Sequence, residues 1–205
     1  MCGIAGYFDF KSTGFSLSEE RFDAIIDLLQ HRGPDGRGRF QKEGVGLGHR
    51  RLSIIDVSGG GQPMGTPNRA VWISYNGEVY NFREIRTLLE KKGCRFRTQS
   101  DTEVILQAYV TLGVACFEEF NGIFACAIFD AHSRTLILAR DRMGVKPLFY
   151  SVAGGVLFFA SEIGALRKFP GIDLRYDAHG IDSYFTFGYV PAPMSGYRGI
   201  SQVEP

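Results

Sequence analysis

The chain has 205 residues, of which 44% are hydrophobic and 13% aromatic, enough for a sizeable core and too apolar for intrinsic disorder. Twenty-three Lys and Arg against twenty-two Asp and Glu leave a formal charge of +1, and no basic run argues for a nucleic-acid or anionic-membrane surface. No apolar stretch reaches the roughly 18–20 residues of a membrane span and the N-terminus lacks a signal-peptide pattern, so a cytoplasmic protein with small-molecule partners is expected.

Residues 4–10 read as a strand. Ser16, followed by Glu19, makes a capping box for a helix that carries Phe22, Ile25, Ile26 and Leu29 on one face. A Gly-rich passage over 33–48 precedes a β region with Leu52, Ile54 and Ile55, and the short strand Val71-Trp72-Ile73 then leads to a turn at Asn76-Gly77. Asn81 with Glu84 caps the next helix, which turns Phe82, Ile85, Leu88 and Leu89 inward and stops before Gly93. Ser100 with Glu103 caps another, running through Val104, Ile105, Ala108 and Leu112 to Gly113. Apolar runs at 124–130, 135–140, 147–152 and 156–160, separated by short turns, predict an antiparallel meander. A short helix follows Asp177. Residues 189–205, with Pro191 and Pro193 and no strand or helix closure, read as the start of a linker behind a domain of residues 1–188. This order fits an α+β fold with helices layered on antiparallel sheets better than a doubly wound parallel sheet.

Cys2, Cys94, Cys116 and Cys126 form no CxxC pair, and His31, His49, His132 and His179 show no ligand spacing, so no metal site is expected. Cys94, Cys116 and Cys126 read as small buried residues. Cys2 differs in kind, because removal of Met1 would place a thiol and a free α-amine on one residue. A thiol ordinarily titrates at about 8.5 and an α-amine at about 7.7–8.0, so that amine can take the thiol proton near neutral pH. On these residues alone Cys2 is equally a small apolar residue opening a strand. Likewise Asn76-Gly77 suits a plain tight turn, Asp101 an anion in a helix first turn, and Arg51 a solvated strand charge.

Cys2 and the ordered motifs His31-Arg32-Gly33-Pro34-Asp35, Arg51-Leu52-Ser53-Ile54, Gly61-Gln62-Pro63-Met64, Tyr75-Asn76-Gly77-Glu78 and Arg140-Asp141-Arg142-Met143-Gly144-Val145-Lys146-Pro147 span most of the chain. Together they resemble the class II glutamine amidotransferases, a branch of the N-terminal-nucleophile hydrolases, and within them the glutaminase domain of glutamine-hydrolysing asparagine synthetases. The resemblance implies a four-layer αββα sandwich that hydrolyses L-glutamine. Cys2 would be the nucleophile, with Asn76 and Gly77 as oxyanion donors. Arg51, Leu52, Ile54, Asn76, Gly77, Glu78 and Asp101 would bind substrate, Arg51 gripping the α-carboxylate and Asp101 with Glu78 the α-ammonium. No cofactor is implied for these residues. Mg-ATP would serve a C-terminal synthetase domain of the same polypeptide, and a homodimer is compatible with the family. A non-catalytic sensor or docking module on the same fold, an acyl-transfer enzyme for a peptide substrate and an amidotransferase with an acceptor other than aspartate are the competing readings. Ser58-Gly59-Gly60-Gly61 lacks the ending of a phosphate loop and reads as a turn; Asp141-Arg142 and Lys146-Pro147 read as a hairpin ion pair or a domain contact.

Overall fold

A computed structural model describes all 205 residues. Sheet A joins β1 (Gly3–Asp9), β2 (Gly36–Lys42), β3 (Val45–Arg51), β8 (Phe149–Ala153), β9 (Val156–Ala160) and β10 (Ser201–Gln202) in the order β10-β8-β9-β1-β3-β2. Sheet B joins β4 (Met64–Gly65), β5 (Val71–Val79), β6 (Gly122–Asp130) and β7 (Thr135–Arg140) in the order β4-β5-β6-β7. Every pairing between these strands is antiparallel. The sheets pack face to face, with α1 (Glu19–Asp27) and α4 (Ile163–Leu166) outside sheet A and α2 (Phe82–Lys91) and α3 (Asp101–Leu112) outside sheet B. The α+β, four-layer arrangement expected from sequence is thus the one observed.

The layers follow from strand alternation. On β1, Ala5 and Tyr7 join Phe22, Ile26 and Leu166 under the outer helices, while Ile4 and Phe8 point into the space between the sheets. On β6, Cys126 and Ile128 face α3, and Ala125, Ala127 and Phe129 face sheet A. Because both faces of these strands are covered, they read as continuous apolar runs. Trp72 of β5 stacks on Phe40 of β2 across the interface, with ring centroids 4.1 Å apart. Between the sheets, Ala125 and Ala127 of β6 share the core with the larger Leu47, Leu148 and Phe159.

Several expectations need correction. The Gly-rich passage is itself the β2–β3 hairpin, while Leu52, Ile54 and Ile55 lie in the loop behind it. Its glycines answer to packing: a Cβ on Gly46 would come within 2.4 Å of the Tyr7 ring, and one on Gly48 within 2.4 Å of Ile26. Asn76-Gly77 is not a turn but mid-ladder, opposite Ala125 and Phe124. Pairing along β6 overrides the dipeptide's turn preference. The cap of α1 is Ser18, whose hydroxyl accepts from Arg21 N–H, rather than Ser16. Asn81 makes no side-chain cap to α2; its amide joins Glu119 O and Asn121 N instead, and Leu88 is exposed. The four late strands are no single meander, since the hairpin β6–β7 belongs to sheet B and β8–β9 to sheet A.

The helix expected after Asp177 is present as α5 (Ala178–Phe187), capped by the Asp177 carboxylate. The segment behind it, however, returns to the fold: β10 pairs with β8, Ile200 is buried and Val203 N–H donates to Leu148 O. No helix is long and apolar enough to cross a membrane.

Candidate active site

The chemistry-bearing residues gather at one end of the sandwich because antiparallel pairing brings the start of β1 beside the end of β3, with Gly3 opposite Arg50. Cys2 stands just before β1, Arg51 closes β3, Asn76, Gly77 and Glu78 lie late in β5, and Asp101 opens α3. These residues, with Leu52 and Ile54, line one cavity of about 210 Å³. All the substrate-binding and catalytic positions expected from sequence are therefore brought together. Gln62, Tyr75, Thr102, Ile123 and Lys146 line it as well; none was given a substrate role from the sequence, and Ile123 lay outside every motif.

The Cys2 thiol is half-buried, 3.4 Å from the Leu52 N–H that donates to it and 3.7 Å from the Leu52 carbonyl. Burial pushes its pKa up, against the pull of the Leu52 N–H, the charged N-terminus and Arg51. With Met1 in place that terminus belongs to Met1, whose side chain lines the same cavity with Sδ 3.2 Å from Lys146 Nζ. Arg32 holds the Cys2 backbone from behind, donating from Nε to Cys2 O at 3.0 Å while Nη1 reaches Glu162 at 2.9 Å. Cys116 and Cys126 are buried and do not line the cavity, and burial pushes Cys116 up to about 12 and Cys126 higher still.

Asn76 is 1% exposed and its Nδ2 has no protein acceptor, although the residue lines the cavity. A buried amide donor left unpaired typically costs about 1–3 kcal/mol, so such a group marks a place where a ligand acceptor fits. Gly77 must be glycine: a Cβ there would lie 2.3 Å from Ile123 O and 2.5 Å from Phe124 Cα. Asp101 is buried and its Oδ2 accepts from the Tyr75 hydroxyl at 2.8 Å and from Val79 N–H at 3.3 Å. Burial raises its pKa, with Glu78 acting in the same sense and these hydrogen bonds opposing. Ser100 starts α3 by accepting from Glu103 N–H at 3.3 Å, and the buried Glu103 carboxylate reaches back to Arg97 N and Thr98 N, so the first turn carrying Asp101 is firmly seated.

Arg51 has a second task besides lining the cavity. Its guanidinium donates to Val57 O at 2.8 Å, Ile55 O at 3.2 Å and Asp56 O at 2.6 Å, so it shapes the loop that carries Leu52 and Ile54. Asp56 completes that loop by accepting from Gly59 N–H and Gln99 N–H, at 2.8 Å and 2.7 Å. Ser58–Gly61 is accordingly a turn closed on Asp56, with Gly60 N–H on Asp56 O at 2.9 Å. Of the two readings of Asp141-Arg142, an ion pair or a domain contact, the ion pair is not formed. The Asp141 carboxylate instead accepts from the backbone N–H groups of Phe124, Met143, Val145 and Lys146, and Arg142 donates to Phe120 O and Glu118 O. Despite burial, these bonds hold Asp141 below the usual carboxylate range. They also fix the loop that brings Lys146 to the cavity.

The family of glutamine amidotransferase domains matches residues 1–205. The chain is 39% identical over 208 residues to asparagine synthetase [glutamine-hydrolyzing] 3 of Bacillus subtilis, covering 100% of this chain and 34% of that protein. Against asparagine synthetase B [glutamine-hydrolyzing] of Escherichia coli the identity is 34% over 194 residues, covering 90% of this chain and 35% of that one. Among solved structures, glutamine phosphoribosylpyrophosphate amidotransferase from B. subtilis superposes with a TM-score of 0.66 at 24% identity, covering 81% of this chain and 43% of that one, a likeness of fold. The chain spans about a third of the length of these synthetases.

Proposed function

Because the chain belongs to the glutamine amidotransferase domain family, we propose that Cys2 performs the hydrolysis of L-glutamine to glutamate and ammonia once Met1 has been removed. The observation that carries this reading is the unpaired, buried Asn76 Nδ2 on the cavity that also holds the Cys2 thiol. In this reading the freed α-amine of Cys2 takes the thiol proton and sulfur attacks the γ-amide carbon. The oxyanion that develops accepts from Asn76 Nδ2 and Gly77 N–H, donors already fixed by the sheet. As the intermediate collapses the α-ammonium returns its proton to the amide nitrogen, the C–N bond breaks and ammonia leaves, and water then hydrolyses the γ-glutamyl thioester. Arg51, with donors beyond those it gives the loop, meets the α-carboxylate, and Asp101 with Glu78 meets the α-ammonium.

A paired clamp for both charged ends favours a free amino acid over a peptide substrate, and the occupied set of catalytic positions speaks against a non-catalytic module. In this reading the ammonia serves asparagine synthesis, as the names of the relatives suggest, in a further domain beyond residues 189–205 where Mg-ATP would act. The test is ammonia release together with intact mass. Protein beginning at Cys2 releases ammonia from glutamine, and both Cys2→Ala and a form retaining Met1 lose this activity. Full activity with Met1 in place would overturn the amine-as-base mechanism.

A further inference from the structure

The oxyanion donor Asn76 sits on a strand whose neighbour has run out. β4 pairs only with Ile73 and Trp72 of β5, so beyond Ile73 that side of β5 lacks a strand partner. Side chains take over at Tyr75: Gln62 Oε1 accepts from Tyr75 N–H at 2.7 Å, and His49 Nε2 meets Tyr75 O at 3.0 Å. His49 is 0% exposed and belongs to β3 of the opposite sheet. One residue earlier on each strand, the Ser74 hydroxyl donates to Gly48 O at 2.9 Å, giving a second bond across the same interface. A carbonyl can only accept, so Nε2 carries the proton; Nδ1 has no partner and imposes no competing tautomer. Burial lowers His49 to about 4, which keeps it neutral across the working range.

We infer that His49 is a positioning residue for the reaction: its Nε2–H, bonded to Tyr75 O, fixes the peptide that carries Asn76 and so aims the Asn76 amide at the developing oxyanion. The inference rests on the glutaminase reading and adds a residue that touches neither substrate nor nucleophile. Cys2 stands just before β1 of sheet A, and His49 ties that sheet to the β5 strand that bears the oxyanion donor. The two halves of the chemistry are thereby held in register by a hydrogen bond between layers.

The test compares His49→Leu with His49→Gln, since a glutamine Nε2 reaches the place of the imidazole Nε2. Active sites are counted by labelling with a diazo-ketone analogue of glutamine, so kcat refers to folded protein alone. His49→Leu lowers kcat by about 100-fold with KM within about twofold of the parent, and His49→Gln restores most of the rate. In the parent, nitrogen NMR finds the Nε2–H tautomer. An unchanged kcat in His49→Leu, equal loss in both variants, a change in KM alone or an Nδ1–H tautomer would overturn the inference while leaving the glutaminase reading intact. A parent protein beginning at Cys2 that releases no ammonia would overturn the reading and the inference together.

Discussion

Three cavity residues differ in when they would meet charge, and kinetics can tell them apart. In the proposed reaction Arg51 and Asp101 face ends of glutamine that do not change, so Arg51→Lys and Asp101→Asn should raise KM with a smaller effect on kcat. In the same proposal Asn76 meets charge that exists only after attack, and Asn76→Ala should lower kcat by about 100- to 1,000-fold. Steady-state rates on the three variants check this; a rise in KM alone for Asn76→Ala would reverse the assignment. Labelling adds an independent measurement. The diazo-ketone analogue alkylates Cys2 and spares Cys116 and Cys126, whose thiols burial keeps protonated, as peptide mapping would read directly. His49 also sets a pH dependence of stability. It titrates near 6.5 when unfolded and at about 4 when folded, so between those values the unfolded chain binds more protons and stability falls on acidification. The loss is about 3 kcal/mol across that window, and urea denaturation of His49→Gln between pH 4 and 7 should show a correspondingly flatter profile.

At the scale of elements, glycine does much to place the cavity. A Cβ on Gly38 of β2 would fall 1.8 Å from Gln62 O, a backbone atom that could give way only by shifting its segment. Gly38→Ala therefore pushes the Gln62 segment off β2 and loosens the brace on Tyr75 N–H, lowering both kcat and melting temperature; scanning calorimetry beside kinetics would detect the pair of losses. These close approaches also explain which parts of the fold were legible in the sequence. Helices with an apolar stripe and a Ser cap, such as α3, announce themselves through local chemistry. The β2–β3 hairpin did not, because Gly36, Gly38, Gly46 and Gly48 look like loop residues unless one knows what packs against them. Asn76-Gly77 misled for the same reason: a turn-forming pair was held straight by β6. The cavity was legible through its motifs, down to Cys2, Arg51, Asn76, Gly77 and Asp101. Its supports, His49 on Tyr75 O and Asp56 on Gln99 N–H, depend on folded contacts far apart in sequence and carry no local signal.

Across the whole molecule, the cavity belongs to neither sheet alone. Cys2 and Arg51 come with sheet A, while Asn76, Gly77 and Glu78 come with sheet B and Asp101 with the helix covering it. Between these two sets lies the inter-sheet core, in which Ala127 packs among larger side chains. Ala127→Leu inserts bulk there, costs about 1–3 kcal/mol and reduces kcat at unchanged chemistry, whereas a leucine of similar size on an exposed face does neither. Denaturant titration and turnover measured on the same samples test that coupling.

The chain's single tryptophan lies on this seam, Trp72 of one sheet stacked on Phe40 of the other. The protein thus carries a built-in optical reporter of sandwich closure. During refolding, the moment at which Trp72 emission reaches its native value marks the earliest moment at which thiol and amide donor can share a substrate, and a chain halted before it would hold ordered sheets and no glutaminase.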